Sequence, residues 1–465
     1  MKTPRAATLI EVEYWPDTAL RVQRLTARPW FVFLDSCRFA PGAGRYDVVA
    51  WDPPMSLRTV GAVTFIAEAG AQRSSQDDPF ALLRAGLGPT SERQDLPFSG
   101  GAIGAFSYDL ARRWERLPVR ATRDIDLPEM AVGLYDRALV VDHLEQRAWF
   151  VHCGLSSAEV EAALALLDIP RTLTPAVLAP RFVVNSVVSP ELSVAEYAAS
   201  FARIKRYLAD GDCYQVNFTQ RFSARAAGDP FDAYLRLRRL NAAPFAAFMR
   251  LPEAALLCSS PERFIAVRDG AVETRPIKGT RPRAQDAACD RALAAELAAS
   301  QKDRAENVMI VDLLRNDLGK SCATGSVWVP QLCAIESYAR VHHLVSSVRG
   351  ELRAGVDALE VLRGCFPGGS ITGAPKLRAM EIIEELEPTR RSIYCGAIGY
   401  LSHDGQMDTN IAIRTLLFQR ERLYCWAGGG IVMDSELAAE YQESLDKAAA
   451  LLNVFADAAV QHLGG

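Results

Sequence analysis

The stretch PERFIAVRDGAVETRPIKGT, residues 261–280, decides how the chain is read. Phe264 to Val267 has strand character, Asp269-Gly270 is a turn signal, and a return strand runs to Ile277. Lys278 then follows an apolar run, between Pro276 with Ile277 on one side and Gly279 on the other. A two-residue turn would set Glu262 opposite Ile277, with Glu262 and Lys278 on opposite faces. A three-residue turn carrying a glycine bulge sets Glu262 opposite Lys278, with both on one face. The second register is expected. An acid and an amine on one face can share a substrate, or simply form the cross-strand salt bridge that sheets use freely. A lysine desolvated in such a place can lose its proton and act as an amine nucleophile.

Outward from this hairpin, the C-terminal half alternates strands, helices and glycine-rich loops. Ser193 and Glu196 form a capping-box pattern, after which Tyr197, Phe201, Ile204 and Leu208 repeat at helical spacing and Gly211 stops the helix. Tyr214 to Phe218 reads as a strand, 287–300 and 303–315 as helices, and Leu437 to Ala456 as a last helix. Prolines 170, 175, 180 and 190 punctuate a stretch without helical period, taken as a linker over 171–190. It separates a region 1–170 of many short strands from a catalytic region 191–460. In the first, Trp30 to Leu34 and Tyr46 to Trp51 read as strands, and Ala138 to Val141 with Ala148 to Val151 as a hairpin. Gly100 to Gly104 marks a close backbone approach or a bulge.

The chain has 465 residues, 49% apolar and 23% charged, with a formal net charge of -4. That balance calls for neither nucleic acid nor an anionic membrane. There is no signal-peptide pattern and no apolar run long enough to span a bilayer. The ten cysteines are scattered without a CxxC pair, so reduced thiols in a cytoplasmic protein are expected. The six histidines lack zinc-ligand spacing.

Two acidic pairs lie on predicted helix faces: Asp303 with Glu306, and Glu440 with Glu443. Either could be a solvated face. Hard oxygen donors without His or Cys also suit magnesium. The second pair follows Ala427-Gly428-Gly429-Gly430. The loop Pro367 to Lys376 (PGGSITGAPK) runs into a helix near Leu377, where free backbone N–H groups could hold an anion. It is not a P-loop, because Ala374-Pro375 precedes the lysine. Arg414, after Ile411-Ala412-Ile413, could pair with a carboxylate or close a strand-end salt bridge. His343 stands beside His342 before an apolar run.

Taken together, GDCYQVN (211–217), SPERF (260–264), RPIKGT (275–280), ENVMIVDLLRNDLG (306–319), GGSITGAPK (368–376), YCGAIGY (394–400), NIAIRT (410–415) and 428–447 with EYQESLDKA resemble the chorismate-utilising enzymes. These include the anthranilate, aminodeoxychorismate, isochorismate and salicylate synthases. The resemblance is close over 190–455 and looser before it. It implies an α+β, anthranilate-synthase-like fold: two strand-rich halves packed as a large β-sandwich with outer helices. Within the family, members that add water carry lysine where this chain has Gln215. Anthranilate synthases carry alanine where it has Lys278, and the aminodeoxychorismate-forming members carry that lysine. The resemblance therefore implies amination of chorismate at C4, with anthranilate formation as the alternative.

It further implies Lys278, Glu262 and His343 as catalytic residues. Gln215, Thr280, Ser370, Thr372, Gly373, Tyr394, Arg414, Gly428, Gly429 and Lys447 are implied to line the chorismate site. Magnesium is implied on Glu306 and Glu443, with Asp303 and Glu440 beside them. No glutaminase segment is recognisable, so a separate glutamine amidotransferase is expected to supply ammonia. Relatives hold tryptophan in the N-terminal half. Leu34-Asp35-Ser36 resembles part of that pocket but departs from the Leu-Glu-Ser of tryptophan-regulated members.

Overall fold

The computed structural model describes residues 6–37, 44–168, 181–338 and 341–453. Two antiparallel sheets, of 13 and 12 strands, make up most of it. Apolar side chains from both meet in one core, with Val32, Val48, Met249 and Leu417 from the first and Leu57, Ile103, Phe264 and Met407 from the second. The expected sandwich is present, and its layers are not the two halves of the sequence. Each sheet draws on both. Phe31–Asp35 pairs with Phe245–Arg250 in the first, and Gly101–Phe106 with Ala397–Ser402 in the second.

The Phe31–Asp35 strand explains why its sequence is apolar without alternation. Val32 enters the inter-sheet core, whereas Phe31 and Phe33 face the other way onto Phe231 and Tyr234 of the Pro230–Leu240 helix. A strand covered on both faces has no polar side to show. Gly101 is a place of true close approach: a Cβ there would collide with Leu401 O.

The 193–209 helix begins as expected, with Ser193 and Glu196 in a reciprocal capping box and helix over Val194–Ala209. The next strand is longer than its apolar start suggests, running Gln215–Ala227 along Arg422–Ile431. Of the 171–190 linker, the part within the described residues is not free: Val183–Val184 and Ser189–Pro190 both pair with Gln215–Ala227. The last helix is described over Leu437–Leu452, and the expected end at Ala456 lies outside the described residues.

The hairpin register differs from expectation. Arg268 pairs with Ala271 across a two-residue turn, with Asp269 at φ 54° and Gly270 at φ 76°. Both residues accept the left-handed conformation that such a turn demands, so no bulge is needed there. The hairpin ladder stops at Glu273 and its return strand at Thr274. Pro276 has no N–H to offer. The chain continues along Val341–Glu351, the strand that the hairpin's return strand already pairs with: Thr274 lies opposite Val348, Ile277 opposite Val345 and Thr280 opposite His343. A register shift falls between the last two pairs, so Lys278 and Gly279 form an irregularity at the sheet's end. A bulge re-aims its side chain, and this one sends Lys278 toward Glu262 by a route the hairpin does not supply.

Candidate active site

Glu262 follows the Ala255–Ser260 strand and is 5% exposed. Its backbone N–H meets Ser260 Oγ at 3.2 Å. Ser370 donates its hydroxyl to Glu262 Oε1 at 2.7 Å. Burial pushes the Glu262 carboxyl up to about 7, against the opposing pull of Ser370, Lys278 and Arg414. A carboxyl so placed is available as a proton donor near neutral pH.

Lys278 Nζ donates to Ser370 O at 3.2 Å and lies 3.6 Å from Glu306 Oε1. Gly279, at φ 80°, leaves the room that Leu297 and Asp303 fill; a Cβ there would be 2.9 Å from Asp303 Cγ. The acid and the amine are thus brought to one place, joined through Ser370 rather than across a hairpin.

His343 is 3% exposed, with Nδ1 2.9 Å from Thr280 Oγ1. Burial, with Arg414 nearby, pushes it down to about 4, so the ring is neutral at neutral pH. A neutral imidazole can orient a substrate but is a poor acid there. Arg414 adopts φ 49°, is exposed, and makes no side-chain hydrogen bond or ion pair among the described residues. A guanidinium left unpaired beside Glu262 and His343 is a ready partner for a substrate carboxylate.

Gln215 donates its amide to Glu306 Oε1 at 2.8 Å. Both depend on Gly430, where a Cβ would collide with Gln215 Nε2 and lie 3.0 Å from Glu306 Oε1. The neighbouring Gly429 faces the other acidic pair: a Cβ there would be 2.9 Å from Glu440 Oε2 and 3.4 Å from Glu443 Oε1. Glu440 is buried and accepts from Ser435 Oγ at 2.7 Å, while burial and the charge of Glu443 raise its pKa. Glu443 pairs with Lys447 Nζ at 2.6 Å, and Lys447 also donates to Gly428 O at 2.9 Å. Asp303 pairs with Arg281 at 3.4 Å.

Glu306, Glu440 and Glu443 therefore line consecutive glycines of one strand, whereas Asp303 lies against Gly279 of another. Among the described residues, no three His, Cys, Asp or Glu side chains converge on one point. The donor chemistry, all carboxylate, fits a hard cation such as magnesium. Glu306 and Glu443 would each have to give up a lysine partner to hold it.

The remaining expected residues divide. Ser370 is central, but its hydroxyl and carbonyl are spent on Glu262 and Lys278. The Thr372 hydroxyl turns back onto Gly368 O at 3.2 Å, and a Cβ on Gly373 would collide with Gln215 O. Both shape the loop. Tyr394 is buried, stacked on Trp426 at 6.0 Å, with no hydrogen bond to Glu262 or Lys278. The helix start does not hold a free cation, because Lys376 is 2.5 Å from buried Asp317. Sequence reasoning missed the fully buried Arg391. It pairs with Glu387 at 2.7 Å and donates to Ile371 O at 3.0 Å and to Asn217 O, tying the Ser370 loop to the Gln215–Ala227 strand. All ten cysteines are free, and no helix among the described residues is long and apolar enough to cross a membrane.

The sequence and the fold have known relatives. The family model described as chorismate binding enzyme matches residues 37–453. An aminodeoxychorismate synthase component 1 from Klebsiella aerogenes is 47% identical over 96% of this chain and 98% of its own length. An anthranilate synthase component 1 from Acetivibrio thermocellus is 37% identical over 89% of this chain and 87% of its own. The crystal structure of anthranilate synthase component I from Streptococcus pneumoniae TIGR4 superposes with a TM-score of 0.79 at 32% identity, covering 88% of this chain and 92% of that one. With the match spanning both sheets and every strand that carries the site, this chain belongs to the chorismate-binding enzyme family.

Proposed function

We propose that this chain converts chorismate to 4-amino-4-deoxychorismate, a step toward para-aminobenzoate and folate, using ammonia from a separate glutamine amidotransferase subunit. The observation that carries the reading is the amine of Lys278 held beside the buried acid Glu262 through Ser370. Identity is also higher to the aminodeoxychorismate synthase relative than to the anthranilate synthase one.

In this reading Arg414 receives a carboxylate of chorismate, and neutral His343, held by Thr280, orients the ring. The Lys278 amine bonds to C2, the ring double bonds shift, and the C4–O bond breaks as Glu262 protonates the departing hydroxyl to water. Ammonia then bonds to C4, the double bonds shift back, and the C2–N bond breaks to release Lys278. The Glu262 carboxylate takes the proton shed by the new ammonium and is reset. We assign magnesium to Glu306 and Glu443, with Asp303 and Glu440 in support. Bound there it would anchor the ring carboxylate.

Tryptophan is assigned to a separate cavity of about 620 Å³ at the junction of the two halves, lined by Leu34, Ser36, Tyr46, Pro244, Phe245 and Tyr400. Equilibrium dialysis with labelled tryptophan tests that assignment. A cytoplasmic location belongs to the same proposal.

The test of the main reading is product analysis with chorismate, magnesium and ammonium. Aminodeoxychorismate, converted to para-aminobenzoate by an added lyase, is the expected product. Anthranilate would mean that Lys278 does not decide the outcome, and would sink the reading.

A further inference from the structure

Among the described residues, Ser370 alone hydrogen-bonds the side chains of both Glu262 and Lys278. Its hydroxyl donates to Glu262 Oε1 at 2.7 Å, and its carbonyl accepts from Lys278 Nζ at 3.2 Å. The residue is 5% exposed and its loop is pinned from several sides. Arg391 holds the next carbonyl, Ile371 O, at 3.0 Å, and Asn217 N–H reaches Thr372 O at 2.9 Å. Arg391 is itself fixed by Glu387, which also takes the Thr219 hydroxyl at 2.9 Å. The loop is therefore a rigid mount rather than a mobile flap.

We propose that Ser370 is a positioning residue that sets the spacing between the Lys278 amine and the Glu262 carboxyl and assigns the Glu262 proton to Oε2. The inference rests on the amination reading. A hydroxyl that donates to Oε1 stabilises that oxygen as the acceptor, so the acidic proton sits on the other. The same contact favours the ionised carboxyl and offsets part of the burial that opposes ionisation. The carbonyl of the same residue draws the amine in, so one backbone position fixes both partners. Pre-set spacing of reacting groups is worth orders of magnitude in rate.

The test is the pH dependence of kcat/KM for chorismate at fixed free ammonia, measured for wild type and Ser370→Ala. Loss of the hydroxyl is expected to lower kcat about tenfold or more. It should also move the basic limb up by about one pH unit, since a hydrogen bond to the carboxylate is gone. Because Ala could disturb the loop, Ser370→Thr and Ser370→Val form a matched pair of equal shape. Thr should keep the wild-type limb and Val should shift like Ala. A fall in kcat with an unmoved limb in both Ala and Val overturns the proposal, as does a rise in KM alone, which would make Ser370 a substrate contact. Should wild type form no aminodeoxychorismate, the amination reading fails instead, a separate result read from the product.

Discussion

Lys278 Nζ sits 3.6 Å from Glu306 Oε1, so the two side chains neutralise each other in the resting site. The contact engages the Lys278 amine, whereas attack on C2 needs that amine free. The residue assigned to the nucleophile and the residue assigned to magnesium thus share one contact. Whatever takes the Glu306 charge also releases the lysine.

That coupling gives a first prediction. In Glu306→Gln the lysine loses its ion pair but keeps Ser370 O. Freed of a contact worth up to about 1 kcal/mol, Lys278 should react with an amine-acylating reagent at pH 8 roughly fivefold faster than in wild type, read by peptide mass spectrometry. Added magnesium should speed labelling in wild type and not in the variant. Equal labelling in all four conditions would show that the pair does not restrain the amine.

A second prediction concerns Glu262. As a proton donor at about 7, it should make kcat/KM fall as pH rises through that value. Glu262→Gln cannot donate and should lose about 10²–10⁴-fold in kcat.

The same residue and His343 set opposing pH dependences of stability. Glu262 holds its proton more tightly folded than unfolded, so stability is lost as pH rises from 4.5 to about 7. His343 holds its proton less tightly when folded, so stability is lost as pH falls from 6.5 to about 4. Each contributes up to about 3 kcal/mol, and the two slopes oppose each other in their shared window. Urea unfolding should therefore find Glu262→Gln gaining stability over wild type at pH 8, with little difference at pH 4.5. His343→Asn should instead gain at pH 4 and not at pH 7. Differences independent of pH in both variants would refute the burial account.

Much of this site was legible in the sequence, and the failures have physical reasons. The Ser193 capping box is a local signal and survives intact, because both partners lie within one helical turn. Glu262, Lys278, Arg414 and His343 were named and do gather. Their route of assembly was not legible. The turn at Asp269-Gly270 is decided by local backbone, but Lys278 is placed by a register shift in the pairing with Val341–Glu351, a partner far away in sequence. Arg391 carried no signal at all. An arginine near Pro388 reads as surface, and only the fold shows it buried against Glu387 with its guanidinium over the Tyr108 ring.

Gly430 offers a test of how the carboxylates are housed. A Cβ there would collide with the Gln215 amide and crowd Glu306. Gly430→Ala should therefore displace both while leaving the long Arg422–Ile431 ladder intact. We expect magnesium affinity, measured by calorimetry, to fall about 10–100-fold, with an unchanged circular dichroism spectrum. Gly429→Ala should act instead through Glu440 and Glu443 and weaken magnesium without altering the labelling of Lys278. Unaltered affinity in both variants would remove these carboxylates from the metal assignment.

The covalent role of Lys278 is the most exposed part of the mechanism. Lys278→Ala removes the amine but leaves Ser370 bonded to Glu262, because their contact uses the serine hydroxyl and not its carbonyl. Lys278→Arg keeps a cation and a donor to Ser370 O but cannot form the C2 bond under these conditions. If the lysine acts only as a charge, Arg should retain most activity and Ala should not. If it acts as the nucleophile, both should fall about a thousandfold or more. Wild type quenched in acid during turnover without ammonia should then carry a chorismate-derived mass on the peptide containing Lys278. Near-wild-type turnover in Arg, together with no modified peptide, would leave ammonia attacking directly and the lysine as an electrostatic partner of Glu306.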